Sequence, residues 1–243
     1  MTTVRAPAKL TRSLRVVGTR PDGYHLIDAE MVTLELADVL TFSTGDGLTV
    51  TGPRAASVPT GERNLVRRAL RAVDRTAHVH IEKRIPNGAG LGGGSADAAA
   101  VLRWADCGDV AVAAALGADV PFCVIGGRAR VGGIGEIVEP MEWVDLSFTL
   151  CTPPLAVSTP AVYTRWDAMG GPTAPGPNDL EPAALAVEPR LAEWRDRLAD
   201  ETGRPPVLAG SGSTWFVEGA FPDISAALLP ASVVVTRTDR PEG

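Results

Sequence analysis

The sequence predicts an α+β fold, and three observations carry that expectation. Two long stretches near the start, residues 4–18 and 31–43, alternate apolar and polar positions and contain many β-branched residues, as half-buried strands do. Helical spacing appears later, in separate short segments. No regular strand–helix–strand alternation runs through the chain, which argues against a doubly wound parallel sheet.

In chain order, Arg20-Pro21-Asp22-Gly23 reads as a turn between the first two strands, because Pro sets one φ and Gly supplies the other. Asp46-Gly47 marks a second turn before a short strand at Leu48-Thr49-Val50. From Asn64 to Val73, the positions of Leu65, Ala69, Leu70 and Val73 are helical, and Val79-His80-Ile81-Glu82 reads as a strand running into Pro86. A helix is expected from Ala96 to Trp104, with Asp97 in its first turn, where a carboxylate suits the helix dipole. A second helix, Val110–Leu116, ends at Gly117, and residues 122–138 read as strands broken at Gly126-Gly127 and Gly132-Gly133. Beyond these come a strand over 146–157, a Gly/Pro-rich loop over 170–177 and a helix from Leu191 to Leu198. Val207–Phe216 carries a second Gly/Ser loop, and Ser232–Thr236 closes the chain as a strand. There is no internal repeat. The expected division is residues 1–145 and 146–243.

A chain of 243 residues, 45% hydrophobic and 21% charged, buries a substantial core as one large domain or two small ones. With aromatics at 5%, that core has to be built mainly from Ala, Val and Leu. A net charge of −6 argues against a general nucleic-acid binder but leaves an anionic ligand open, since a phosphate site needs only local donors. Cys107, Cys123 and Cys151 lack CxxC spacing and read as buried free thiols in a reducing compartment. No stretch approaches the roughly 20 apolar residues of a membrane span, and the N-terminal residues lack the apolar run of a secretion signal. A cytoplasmic protein without a membrane partner is expected.

The most informative stretch runs from Ile85 to Ala100 and holds five glycines within residues 88–94. Such a run, leaving a strand and entering a helix, frees the backbone for positive φ and lets successive N–H groups converge on an anion. It lacks the GK[ST] ending of a P-loop, and the GxGxxG string at 88–93 follows Pro86 rather than opening a strand–helix–strand unit. That absence disfavours a dinucleotide-binding oxidoreductase. Taken alone, Asp119 reads equally as a turn cap or an active carboxylate, and Lys9 as a snorkelling surface lysine or a functional amine. Ala209-Gly-Ser-Gly-Ser213 is a second small-residue loop. His78 and His80 have no partner at metal-ligand spacing.

In combination these stretches resemble the signature motifs of the GHMP kinases. The resemblance is carried by Pro7-Ala8-Lys9, Arg20-Pro-Asp-Gly-Tyr-His25, Asn64-Leu65-Val66, Lys83-Arg-Ile-Pro86 and Gly90-Leu-Gly-Gly-Gly-Ser95. It continues through Leu116-Gly-Ala-Asp-Val-Pro-Phe122, Gly133-Ile-Gly-Glu136, Ser158-Thr-Pro160, Asn178-Asp-Leu180 and Gly210-Ser-Gly212, so that it spans almost the whole chain. The Asp22-Gly-Tyr-His25 element is similar to the branch of the superfamily that phosphorylates a cytidine diphosphate-linked methylerythritol in isoprenoid precursor biosynthesis.

The resemblance implies a two-domain architecture. Residues 1–145 would form an ATP-binding half like the second domain of ribosomal protein S5, and 146–243 a ferredoxin-like half. It implies ATP and Mg²⁺ as cofactors and a small-molecule partner, in a monomer or homodimer. By the same resemblance, the backbone of Pro86, Gly88, Ala89, Gly90, Leu91, Gly92, Gly93, Gly94 and Ser95 wraps the triphosphate, with Ser95 near Mg²⁺. Asn64 and Leu65, with Lys83 nearby, take the adenine; Asp119 accepts or orients the acceptor hydroxyl proton; Lys9 keeps Asp119 ionised and stabilises charge on the attacking oxygen. Tyr24 and Tyr163 sandwich the pyrimidine, and His25 meets its polar edge.

The chain departs from the pattern at Thr11, where an amide is usual, at Arg12 and Ser13, where apolar residues are usual, and in a short segment between Leu102 and Leu116. From that shortening, a truncated or rearranged helix behind the glycine loop is expected. The departures keep two alternatives open, another small alcohol as acceptor and nucleotide binding with impaired turnover.

Overall fold

The structure, a computed structural model, describes residues 1–240. Its framework is a long antiparallel hairpin of β1 (Thr2–Thr19) and β2 (His25–Ser43). The turn closes as the sequence predicts, with Gly23 N–H donating to Arg20 O at 2.9 Å and Gly23 at φ +87°. Both strands extend beyond the expected stretches, because pairing from Thr2 with Phe42 to Thr19 with His25, interrupted by register shifts, satisfies backbone groups that alternation alone does not report.

β2 is long enough to serve three partners. Besides β1, its residues 39–43 pair with β4 (His78–Glu82) and its residues 27–32 with β5 (Arg128–Gly133). β3 (Gly47–Thr51) lies parallel to β4, and β6 (Ile137–Met141) antiparallel to β5, making a six-stranded sheet. A second sheet, in the order β10-β7-β9-β8, uses β7 (Ser147–Thr152), β8 (Val207–Leu208), β9 (Trp215–Glu218) and β10 (Ser232–Arg237).

Against the first sheet pack α1 (Leu65–Ala72), α2 (Gly93–Trp104), α3 (Val110–Leu116) and α4 (Val120–Ile125). α2 is buried over most of its surface, including Ala96, Ala98, Ala99, Ala100, Val101 and Leu102, and its small residues let it settle closely on β1 and β2. Its far end is held by Trp104 stacking on Phe42, 4.5 Å between ring centroids. The second sheet carries α5 (Thr159–Ala168), α6 (Glu181–Val187) and α7 (Leu191–Thr202), the last tied down by the buried Trp215 indole donating to Leu191 O at 3.1 Å. The sheets are linked where Leu14 N–H donates to Pro177 O and Asp179 N–H to Leu14 O, each at 2.9 Å.

Three expectations change. α2 starts at Gly93 rather than Ala96, so Asp97 lies in its second turn, buried against Lys83, and does not serve the dipole as a first-turn carboxylate. Residues 122–125 are helical, not extended: Pro121 pre-sets φ in the first turn of α4 and Gly126 ends it, and a short apolar run has too little periodicity to tell helix from strand. Tyr163 lies within a helix, α5, which the sequence reading missed together with α6. The helix behind the glycine loop ends at Trp104, as expected, and the chain continues into the seven-residue α3. Among the described residues no helix is long and apolar enough to cross a membrane. The three cysteines are free, Cys123 and Cys151 buried and Cys107 partly so.

Candidate active site

A cavity of about 720 Å³ opens between β1, the glycine-rich loop, α5 and the loop at 210–212. Register shifts in β1 on either side of Lys9 and Thr11 re-aim this stretch, and both residues line the cavity although they are almost fully buried. Lys9 N–H donates to Leu91 O at 3.1 Å, and its ammonium donates to Thr11 Oγ1 at 3.1 Å. The same ammonium lies 3.3 Å from Asp119 Oδ2.

Asp119 precedes α4 but makes no side-chain capping bond, so its carboxylate remains directed to Lys9 and the cavity. Its backbone is held from behind: a Cβ on Gly135, at φ +125°, would come within 2.4 Å of Ala118 O, so only glycine lets the turn at 133–136 press this close. Below lies Cys123, whose thiol burial and the neighbouring Asp119 push up to about 12 against the pull of Lys9 and Arg103. It stays protonated and is no nucleophile.

The glycine-rich loop is clamped on two sides. A Cβ at Gly90 would meet Ala209 O at 2.3 Å, and one at Gly92 would meet Lys9 Cγ at 2.7 Å. Ala89 O also accepts Thr214 N–H at 3.3 Å, tying the loop to the second sheet. Gly92 is the N-cap of α2 in left-handed conformation and offers no side-chain cap. The first-turn amides at Gly93, Gly94 and Ser95 thus face the cavity end of the helix without an intrahelical acceptor. That donor set fits a polyphosphate. Among the described residues no group of three or more His, Cys, Asp or Glu side chains is arranged to hold a metal ion.

At the opposite end stand Tyr24, 60% exposed, with His25 and Tyr163. His25 stacks on Tyr163 with ring centroids 4.7 Å apart and meets the edge of Trp166 at 5.5 Å. Its Nε2 is 2.7 Å from Asp167 Oδ1. Burial, and then the charge of Asp119, push the Tyr163 hydroxyl up to about 12, so it remains neutral.

Of the residues singled out from sequence, Lys9, Tyr24, His25, Leu65, Pro86, Gly88, Ala89, Gly90, Gly92, Gly93, Gly94, Ser95, Asp119 and Tyr163 share this cavity. Three do not line it. Asn64 spends its side chain on α1, accepting Val66 N–H at 2.8 Å and donating to Pro59 O at 2.7 Å. Leu91 is core, and only its carbonyl reaches Lys9. Lys83 is 1% exposed, its ammonium 2.5 Å from both Asp38 Oδ2 and Asp97 Oδ2. Burial, with the nearby Asp38, pushes the Asp97 carboxyl up to about 7 against the pull of Lys83, while the two carboxylates outweigh burial and raise Lys83. Sequence reasoning overlooked Asp167, 142 residues from the His25 it contacts, and the pair of Thr159 and Ser211, whose hydroxyls lie 2.7 Å apart at the cavity wall. Thr159 was within reach through its Ser-Thr-Pro motif; nothing local marks Asp167.

A model of the GHMP kinases N terminal domain matches residues 64–127, the segment from the α1 cap through the glycine loop to Asp119 and α4. A 4-diphosphocytidyl-2-C-methyl-D-erythritol kinase of Paracoccus denitrificans is 39% identical over 231 residues, covering 87% of this chain and 84% of the relative. The chain belongs to the 4-diphosphocytidyl-2-C-methyl-D-erythritol kinase family. A Cereibacter sphaeroides kinase of the same name is 37% identical over 98% of this chain and 95% of its own length. A crystal structure of a 4-(cytidine 5'-diphospho)-2C-methyl-D-erythritol kinase superposes with a TM-score of 0.78 at 33% identity, covering 98% of this chain and 100% of that one. A mevalonate kinase structure, 11% identical with a TM-score of 0.60, shares the fold. Family membership makes the chain an ATP-dependent small-molecule kinase with the α+β fold of the GHMP kinases.

Proposed function

We propose that this kinase transfers the γ-phosphoryl group of ATP to the 2-hydroxyl of 4-diphosphocytidyl-2-C-methyl-D-erythritol, in the non-mevalonate route to isoprenoid precursors. The observation that carries the reading is the Lys9–Asp119 pair, 3.3 Å apart, in one cavity between a glycine-rich helix N-terminus and a cluster of aromatic rings. Phosphoryl transfer asks the protein chiefly for positioning and charge stabilisation. The amides of the 86–95 loop would hold the triphosphate, with the Ser95 hydroxyl toward Mg²⁺. ATP, when bound, supplies the activated phosphoryl group.

The chain's own residues do the rest. Asp119 accepts or orients the proton of the acceptor hydroxyl. The Lys9 ammonium keeps that carboxylate ionised and, with Thr11 occupying one of its donors, leaves a donor for the oxygen on which charge develops. Tyr24 and Tyr163 stack the pyrimidine and His25 meets its edge. Leu65 remains beside the adenine, while Asn64 and Lys83 act behind the wall rather than on it. The same reading divides the chain near residue 145 into a nucleotide half and a second half, in a cytoplasmic monomer or homodimer.

The test is an ADP-release assay over a small panel of acceptors. Turnover is expected with the cytidyl compound and Mg²⁺, and Asp119→Asn lowers kcat by roughly 10²–10⁴. Turnover of mevalonate, homoserine or a sugar but not the cytidyl compound refutes the substrate. An unaltered kcat in Asp119→Asn refutes the mechanism.

A further inference from the structure

The buried ions behind the glycine-rich loop form one connected cluster. The ammonium of Lys83, the residue after β4, lies 2.5 Å from Asp38 on β2 and 2.5 Å from Asp97 on α2, and all three residues are shut off from solvent. The other oxygen of Asp38 accepts the main-chain N–H groups of Arg84 at 2.6 Å and Ile85 at 2.9 Å, the two residues before Pro86. Asp97 stands four residues into α2, just past the end of the loop. The cluster thus grips the loop at both ends. It also lies directly beneath it, because a Cβ on Gly93 would come within 3.1 Å of Lys83 Nζ.

Charge pairing and hydrogen bonds join the three side chains: burial pushes the Asp97 carboxyl up to about 7 while the Lys83 ammonium pulls against it. Apolar packing of the same volume joins three elements without desolvating ions, so such a cluster is poor value as glue alone. None of the three lines the cavity.

We propose that Lys83, Asp38 and Asp97 are positioning residues for the nucleotide loop: they tie its two ends together and hold its amides in register for the phosphates. The proposal rests on that loop being the ATP site.

The experiment compares wild type, Lys83→Met and Asp97→Asn by calorimetric titration with ADP and by separate KM values for ATP and for the acceptor. Lys83→Met removes the bridge between Asp38 at the entry to the loop and Asp97 beyond its end; ADP affinity is expected to fall, and the ATP KM to rise, on the order of 10- to 100-fold with the acceptor KM within about twofold. Asp97→Asn keeps the size and one acceptor for Lys83, and carries the test should Lys83→Met fail to fold; a several-fold rise in ATP KM alone is expected. A variant that is merely less stable loses active fraction and shifts neither KM. Near wild-type ADP affinity in a folded variant, or a parallel rise of both KM values, overturns the proposal. If wild type itself fails to bind ADP, the loop assignment falls and takes the cluster with it; ADP binding that is equal in all three removes the cluster's role only.

Discussion

Adding one methyl group at Gly90 tests the clamp on the nucleotide loop. Two costs follow from the coordinates. Gly90 sits at φ +79°, where a Cβ costs roughly 1–2 kcal/mol. The added atom would also lie 2.3 Å from Ala209 O, a backbone atom that cannot rotate away, against an ordinary closest approach of about 3.4 Å. The loop must therefore move by about 1 Å relative to the 209–212 segment, and a misplacement of that size costs on the order of 10²-fold in rate. Gly170 supplies the control, since it shares positive φ (+82°), has nothing within 4 Å of its would-be Cβ and lies outside the cavity. Gly170→Ala should lose about 1 kcal/mol of stability, a melting shift of roughly 2–4 °C, and little activity beyond that. Gly90→Ala should lose about 10²-fold in kcat/KM for the cytidyl acceptor while unfolding within several degrees of Gly170→Ala. The assay is ADP release at saturating and limiting ATP, alongside differential scanning fluorimetry. Equal activities in the two variants would mean that contact with Ala209 does not constrain the loop.

The neutral, stacked Tyr163 predicts that Tyr163→Phe keeps the acceptor KM within about twofold, whereas Tyr163→Ala raises it roughly tenfold through loss of ring contact worth about 1.4 kcal/mol; steady-state kinetics with varied acceptor decides. The Glu30 carboxylate is pushed up by partial burial but held below its ordinary value, on balance, by Arg128 and Arg12. A depressed folded-state value means that its contribution is present above the unfolded value of about 4.3 and is lost as pH falls through the folded one. Urea midpoints between about pH 6 and pH 3 should fall less steeply in Glu30→Gln than in wild type, and parallel curves would refute the assignment.

Motif chemistry was the most legible part of the site. The glycine run can be read from its spacing, whereas Asp119 and Lys9 stand out only through the resemblance to the GHMP kinase motifs. The long hairpin and α1, with its Asn64 cap, were legible for a similar reason: alternation and helical spacing persist long enough to outvote local ambiguity. α4 and α5 were not, since four apolar residues after Pro121 and a mixed Thr/Tyr/Trp stretch carry no decisive period. Their conformation is decided by packing, α4 on α2 and α5 on α6. Lys83 is the instructive case. Its sequence neighbours, just before the loop, point to the nucleotide, but its side chain turns inward because Asp38 and Asp97 converge on it from 45 and 14 residues away. No local pattern encodes such a meeting.

The three-partner strand β2 has a mechanical consequence. His25, at the acceptor end of the cavity, and Asp38, which anchors the entry to the nucleotide loop, lie on that one continuous strand. The strand is paired on either side of an irregularity at residues 34–36, so both ends are carried by the first sheet and form one jaw. The opposing jaw is α5 and the Gly210–Gly212 loop, connected to the first sheet through the hydrogen bonds at Leu14 and Ala89.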